Sequence, residues 1–129
     1  MLSERDRRIL EAPNFAAIAT TMPDGSPHVS TVWIDLDGDD VLVNTGEGLV
    51  KTENVRRDAR VAISVFDQQD DPYEQLVIRG SVVDVTGDGA DEHIDRLAKK
   101  YLGVEGYPWR EPGEQRVILR IRVDHASTG

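Results

Sequence analysis

Cysteine is absent from this chain, which removes disulfide frameworks, thiolate metal sites and cysteine nucleophiles at once. Aromatic residues make up only 5% of it, so its core has to be built from valine, isoleucine, leucine and alanine. No apolar run approaches the roughly 18 residues of a membrane-spanning helix. The stretch from Met1 to Arg8 is charged and polar rather than signal-like, and the expectation is a cytoplasmic protein. Lysine is scarce too: it supplies three of the 15 Lys and Arg residues, in a chain of formal net charge −9. A pI near 4.7 sets most of the surface against a polyanion and argues against a nucleic-acid binder. The 129 residues are enough for one domain, 1–129, with its own core.

What is present reads as strands with a few helices. Ser3 is placed to cap a short helix reaching Glu11, which Pro13 ends. Residues 14–21 form a first strand of small residues, and Pro23-Asp24-Gly25-Ser26-Pro27 is a turn by its chemistry. His28 to Leu36 alternates as a second strand, Asp37 to Asp40 turns the chain, and Val41 to Thr45 returns as a third, giving a meander. A helix over about 48–58 precedes a fourth strand, Val61 to Phe66. The polar loop Asp67 to Pro72 then leads to a long strand from Tyr73 to Val85, where Gly80 suggests a bulge or a close backbone approach. Asp88 to Leu102 is the clearest helix, with an apolar stripe of Ile94, Leu97, Ala98, Tyr101 and Leu102, and Gly103 stops it. After the loop Tyr107 to Gly113, the last strand sets Val117, Leu119, Ile121 and Val123 against Arg116, Arg120, Arg122 and Asp124. Six strands with two or three helices imply mostly antiparallel pairing, and a small barrel with helices closing its ends fits better than a doubly wound sheet.

Few motifs carry chemistry. Asp35, Asp37, Asp39 and Asp40 resemble a calcium loop only until the sixth and twelfth positions, which hold Asp40 and Gly46 instead of glycine and glutamate. The three histidines show no metal-ligand spacing; His93 lies off the apolar stripe and is expected to be exposed, whereas His28 opens a strand at a rim and either lines a site or is an ordinary edge residue. No nucleophile elbow, Walker loop or dinucleotide fingerprint occurs. Lys51 stands out: it sits in the first turn of a helix that follows Gly46 and Gly48, where free N–H groups and the helix dipole favour an anion. A lysine there opposes the dipole, so phosphate binding is the first reason to keep it. Tyr107-Pro108-Trp109 is either a loop anchored by its aromatics, a lid over a planar ligand or a dimer contact.

Taken in order, Thr20, Asp24-Gly25, Pro27, Val29, Val32-Trp33, Val43-Asn44-Thr45 and Lys51-x-x-Asn54-x-x-Arg57-Asp58 resemble the flavin-binding split-barrel superfamily, the fold of pyridoxamine 5′-phosphate oxidase. Pro72-Tyr73, Ile78-Arg79-Gly80 and the run from Gly89 to Gly103 followed by Tyr107-Pro108 resemble its branch of enzymes dependent on the deazaflavin coenzyme F420. The resemblance spans residues from about 10 to 123. It implies a homodimer of six-stranded antiparallel FMN-binding split barrels, mainly β with two to three helices, and a flavin-type cofactor in a groove between subunits. By motif position it implies that Pro27, His28, Val29, Ser30 and Thr31 line the ring. Asn44 and Thr45 would contact the linker, and Lys51 with Asn54 would face the phosphate. Many relatives carry arginine two residues before the lysine and nearby; this chain has Leu49, Glu47 and Glu53 there, which leaves Arg56, Arg57 or a partner subunit to supply further charge.

The function this implies is an oxidoreductase in which a bound deazaflavin exchanges hydride with a small organic substrate, with no metal and no identified catalytic side chain. An FMN-dependent oxidoreductase, a non-catalytic flavin-binding module and an interaction protein without a small ligand are the alternatives.

Overall fold

Local hydrogen bonding sets the first element. In a computed structural model, which describes residues 1–129, Ser3 Oγ accepts from the Asp6 N–H at 3.1 Å, and the Asp6 carboxylate accepts from the Ser3 N–H at 3.0 Å. This capping box opens α1 (Glu4–Glu11), which buries Ile9 and Leu10 completely.

Seven strands follow, β1 (Ala16–Thr21), β2 (Pro27–Val32), β3 (Ile34–Asp37), β4 (Asp40–Gly46), β5 (Arg60–Phe66), β6 (Gln75–Thr86) and β7 (Arg116–Ser127), with α2 (Val50–Arg57) between β4 and β5 and α3 (Ala90–Leu102) between β6 and β7. They form one antiparallel sheet in the order β2-β1-β5-β6-β7-β4-β3. β2 and β3 are consecutive in the chain and yet form the two edges of the sheet. The sheet is therefore curled until its edges meet at Trp33, as a split barrel mainly of β structure with three helices.

The expected second strand, 28–36, is thus two strands, and the count is seven rather than six. Val32 pairs with Ala16, while Ile34, two residues on, pairs with Val43. The break is stabilised from α3. The Ile34 N–H donates to the Tyr101 hydroxyl at 3.1 Å, and the Ile34 carbonyl accepts from Lys100 Nζ at 2.8 Å. Backbone groups at the break are satisfied by side chains, which any buried break in a sheet requires. The expected meander is correspondingly opened: β2 pairs with β1, β3 with β4, and no ladder joins β2 to β4.

The interior carries the aliphatic core that the shortage of aromatics dictates, with Ile18, Ile34, Ile63, Ile78, Leu119 and Ile121 almost wholly buried. Alternation in β7 puts Val117, Leu119 and Ile121 inside. β6 shifts register between Arg79 and Gly80, and a Cβ at Gly80 would lie 2.2 Å from the Arg122 carbonyl oxygen, so both the bulge and the close approach occur. No helix is long and apolar enough to cross a membrane.

Candidate functional site

Where β2 and β3 part, a pocket of about 320 Å³ opens at the seam. Thr31 and Trp33 from the broken strand, Asn44 and Thr45 from β4, Lys51 from α2 and Arg116 from β7 are among the residues that line it. β4 runs directly into this pocket: after Gly46 the chain turns through Gly48, whose φ of +82° lies in the left-handed region, and α2 begins. Thr52 Oγ1 donates to the Gly46 carbonyl at 2.7 Å and fixes α2 against the end of β4. No side chain caps α2, so its first-turn N–H groups are left for water or a ligand.

Lys51 is half-buried and has neither an ion pair nor a hydrogen bond. Burial pushes its ammonium below the ordinary value, and the positive charge of Arg116 acts in the same direction. The acidic residues nearest Lys51 in the sequence, Glu47 and Glu53, are occupied. Glu47 accepts from both terminal nitrogens of Arg56, at 2.5 and 2.9 Å, and Arg56 also reaches Glu53 at 3.3 Å. Both glutamates are engaged by Arg56, and neither pairs with Lys51.

The sequence-derived site residues divide into groups. Thr31, Asn44, Thr45 and Lys51 share the seam pocket. Pro27 instead lines a larger open groove of about 1090 Å³ on the outer side of β1 and β5, rimmed by Arg57, Arg60 and Arg79. His28, Val29 and Ser30 lie along the edge strand β2 between these spaces. His28 Nδ1 and Ser30 Oγ are buried polar atoms without a partner, while Val29 is 65% exposed on the opposite face. Buried polar atoms without partners are uncommon, and these two share the face of β2 that carries buried Val32. Asn54 is not brought to Lys51. It is buried, donating to Thr20 Oγ1 at 3.0 Å and accepting from Arg57 at 2.7 Å, which ties α2 to β1. Arg57 also donates to the Thr21 carbonyl, so neither Arg56 nor Arg57 reaches the seam pocket as a free cation.

Three features in or beside the pocket go beyond what the sequence showed, although a lid at Tyr107–Trp109 was among its alternatives. The first is Arg116, read in the sequence only as the polar side of a strand. The second is an aromatic wall: Trp33 stacks on Tyr101 at 5.1 Å with 5° between the rings, and Tyr107 and Trp109 pack on Trp33 at 6.1 and 6.3 Å. The loop Tyr107-Pro108-Trp109 is therefore built onto the pocket rim, with Trp109 59% exposed.

The third is His93, which is wholly buried, contrary to the expectation of an exposed residue. Its Nε2 lies 3.2 Å from Asp35 Oδ2 and its Nδ1 3.1 Å from Asn44 Nδ2. The helical spacing did contain the signal, because Ala90, His93, Ile94, Leu97, Ala98 and Tyr101 continue one i, i+3, i+4 stripe. A polar residue within that stripe is buried only with partners, and Asp35 and Asn44 supply them. Burial opposes ionisation of Asp35, but hydrogen bonds from His93 and the Leu36 N–H outweigh it and hold this carboxyl below the usual range. No group of residues is arranged to hold a metal ion, and the turn Asp37–Asp40 simply connects β3 to β4.

A curled antiparallel sheet, split at one broken strand and with an uncapped helix and a free cation at the split, is a split barrel. The chain belongs to the pyridoxamine 5′-phosphate oxidase family, whose pattern matches residues 2–128. A solved F420 reductase is 30% identical and superposes with a TM-score of 0.83, over 95% of this chain and 96% of that one. A conserved hypothetical protein from Mycobacterium tuberculosis, 22% identical, superposes at 0.72 over 98% of this chain and 83% of that one. HupZ from group A Streptococcus, 17% identical, superposes at 0.68 over 98% and 92%. The last two share the fold.

Proposed function

We propose that this protein is an oxidoreductase that binds coenzyme F420 at the seam and exchanges hydride between it and a small organic substrate. The observation that carries this is Lys51, a half-buried cation without a partner at an uncapped helix start, in a pocket of a flavin-binding fold. The 30% identity to an F420 reductase over nearly the full length of both chains supports the deazaflavin over other flavins.

The residues present fit such a cofactor. The volume of about 320 Å³ is at the lower end for a ligand site, so the seam takes one end of a long molecule and the rest extends along β2. Lys51 and the first-turn N–H groups of α2 meet the phosphate. Thr31 offers its hydroxyl to the linker, and Asn44 and Thr45 form the buried wall beside it. Pro27, His28, Val29 and Ser30 border the ring along β2. Asn54 serves as the tie between α2 and β1 that sets the height of Lys51. When bound, a deazaflavin supplies two-electron hydride chemistry, while the protein provides orientation and exclusion of water. Trp33, Tyr107 and Trp109 form the water-excluding wall.

The active form is a homodimer. β2 has a free edge, and the outer face of β2, β1 and β5 carries small residues in rows, Val29-Ala19-Ala62 and Thr31-Ala17-Ser64, which a second copy can approach closely. The reaction is tested with reduced F420 and, separately, reduced FMN against a panel of acceptors under anaerobic conditions, following reoxidation. Turnover with at least one acceptor is expected. Tight binding with no turnover would instead assign a non-catalytic carrier, and turnover with FMN alone an FMN enzyme.

A further inference from the structure

The seam pocket holds two cations, and only Lys51 is explained by the reading above. Arg116, at the start of β7, also lines the pocket and is tethered on three sides. Its Nε donates to Asn44 Oδ1 at 2.8 Å, one terminal nitrogen pairs with Glu114, and the guanidinium lies 5.3 Å over the Tyr107 ring. Its other terminal nitrogen has no protein partner and remains for a ligand. No carboxylate lines the seam pocket itself, and the one that pairs with Arg116, Glu114, lies outside its lining.

The tether to Asn44 has one consistent direction. Asp35 is ionised and accepts, so His93 Nε2 carries the hydrogen that faces it at 3.2 Å. His93 Nδ1 is then the acceptor, and it takes the Asn44 amide nitrogen at 3.1 Å. The same Asn44 nitrogen donates to the Ala90 carbonyl at 2.9 Å, which fixes the amide and turns its oxygen toward Arg116. Each buried donor in this chain has an acceptor in that arrangement alone. Reversing the Asn44 amide would set its nitrogen against the Arg116 Nε–H and leave His93 Nδ1 and the Ala90 carbonyl without their donor.

We propose that Arg116 is the second anion-binding residue of the seam pocket, gripping a phosphate group opposite Lys51, and that Asp35 and His93 are positioning residues that hold it there through Asn44. The identity of the phosphate's carrier rests on the cofactor reading above; the anion site itself does not.

Four proteins test this: wild type, Arg116→Gln, His93→Gln and the double variant. Each is titrated with F420 and FMN, with their phosphate-free counterparts 8-hydroxy-5-deazariboflavin and riboflavin, and calorimetrically with inorganic pyrophosphate. Arg116→Gln is expected to weaken the phosphate-bearing cofactor about tenfold or more, as loss of a charge-assisted contact requires, and to leave its phosphate-free counterpart nearly unchanged. Arg116→Lys, which keeps the charge without the fork, should fall between. His93→Gln should weaken the same ligands several-fold, and the double variant should be no weaker than Arg116→Gln, because His93 acts through Arg116. Equal losses for ligands with and without phosphate, or no loss, would overturn the assignment of Arg116. Additive losses in the double variant would overturn the positioning role of His93. If wild type binds no flavin or deazaflavin, the cofactor reading fails, and pyrophosphate then decides the anion site: no binding, or binding indifferent to Arg116→Gln, would overturn it.

Discussion

Replacing Lys51 with methionine keeps most of the side-chain stem and removes the charge, and its effects on binding and stability should run in opposite directions. In the bound state the ammonium meets a phosphate in a half-buried site, a charge-assisted contact of about 1.5–3 kcal/mol. The Kd for a phosphate-bearing cofactor should therefore rise by roughly 10- to 150-fold, with little change for the phosphate-free analogue. In the free protein the same ammonium is desolvated, lies near Arg116 and has no carboxylate partner. Its removal should leave thermal stability unchanged or raise it, by up to about 1 kcal/mol, which is about 3–5 °C in Tm for a domain of this size. The pH dependence follows in sign. With its folded value depressed below the ordinary 10.5, Lys51 holds its proton less firmly in the folded protein than in the unfolded chain. Between those two values the unfolded state binds more protons, so wild-type stability gains from Lys51 as pH rises, and the variant lacks that gain. Fluorescence titration and calorimetric melting of the same preparations measure both effects. Equal weakening of phosphate-bearing and phosphate-free ligands, or a marked loss of Tm, would refute the reasoning by making Lys51 a structural residue.

Further outcomes follow from the same geometry. Burial, and then the charge of Asp35, raise the Tyr101 phenol from 10.0 to about 12 against the hydrogen bond from the Ile34 N–H. The folded protein therefore keeps a proton that the unfolded chain releases, and wild type should lose on the order of 2 kcal/mol as pH rises from about 10 to 12. Tyr101→Phe should abolish that loss while costing about 1–3 kcal/mol at neutral pH through unpaired Ile34 and Asn14 groups, as urea melts at several pH values will measure. Gly80→Ala drives a Cβ into the Arg122 carbonyl and should destabilise by about 1–3 kcal/mol in denaturant titration. Val29→Lys, at an exposed position on β2, should leave circular dichroism unchanged and convert a dimer to a monomer in sedimentation velocity; a monomeric wild type would overturn the proposed assembly.

The parts of the fold set by local chemistry were legible in the sequence. Ser3 marked α1, Gly80 marked its bulge, and the alternation of Val117, Leu119 and Ile121 marked the buried face of β7. The break at Trp33 was not legible, because β2 and β3 both keep the period-2 pattern and the interruption is made by Tyr101 and Lys100 from another element. Lys51 could be singled out by its rarity and by the glycines before it, since both are local. Arg116 could not, because one arginine in an alternating strand looks like any other until the β4–β7 ladder pairs it with Gly46, just before α2. His93 lay between these cases: its spacing on α3 was visible, but a stripe traced only through apolar residues passed over it. Asn54 shows the reverse limit, as a motif position that the fold turns toward Thr20 and away from the pocket.

The most direct measurement is a fluorescence titration of the purified protein with F420 and, separately, with FMN. The account predicts saturable binding of F420 near one per chain, with FMN weaker. Absence of saturable binding by either, at protein concentrations where the fold is intact, would contradict it.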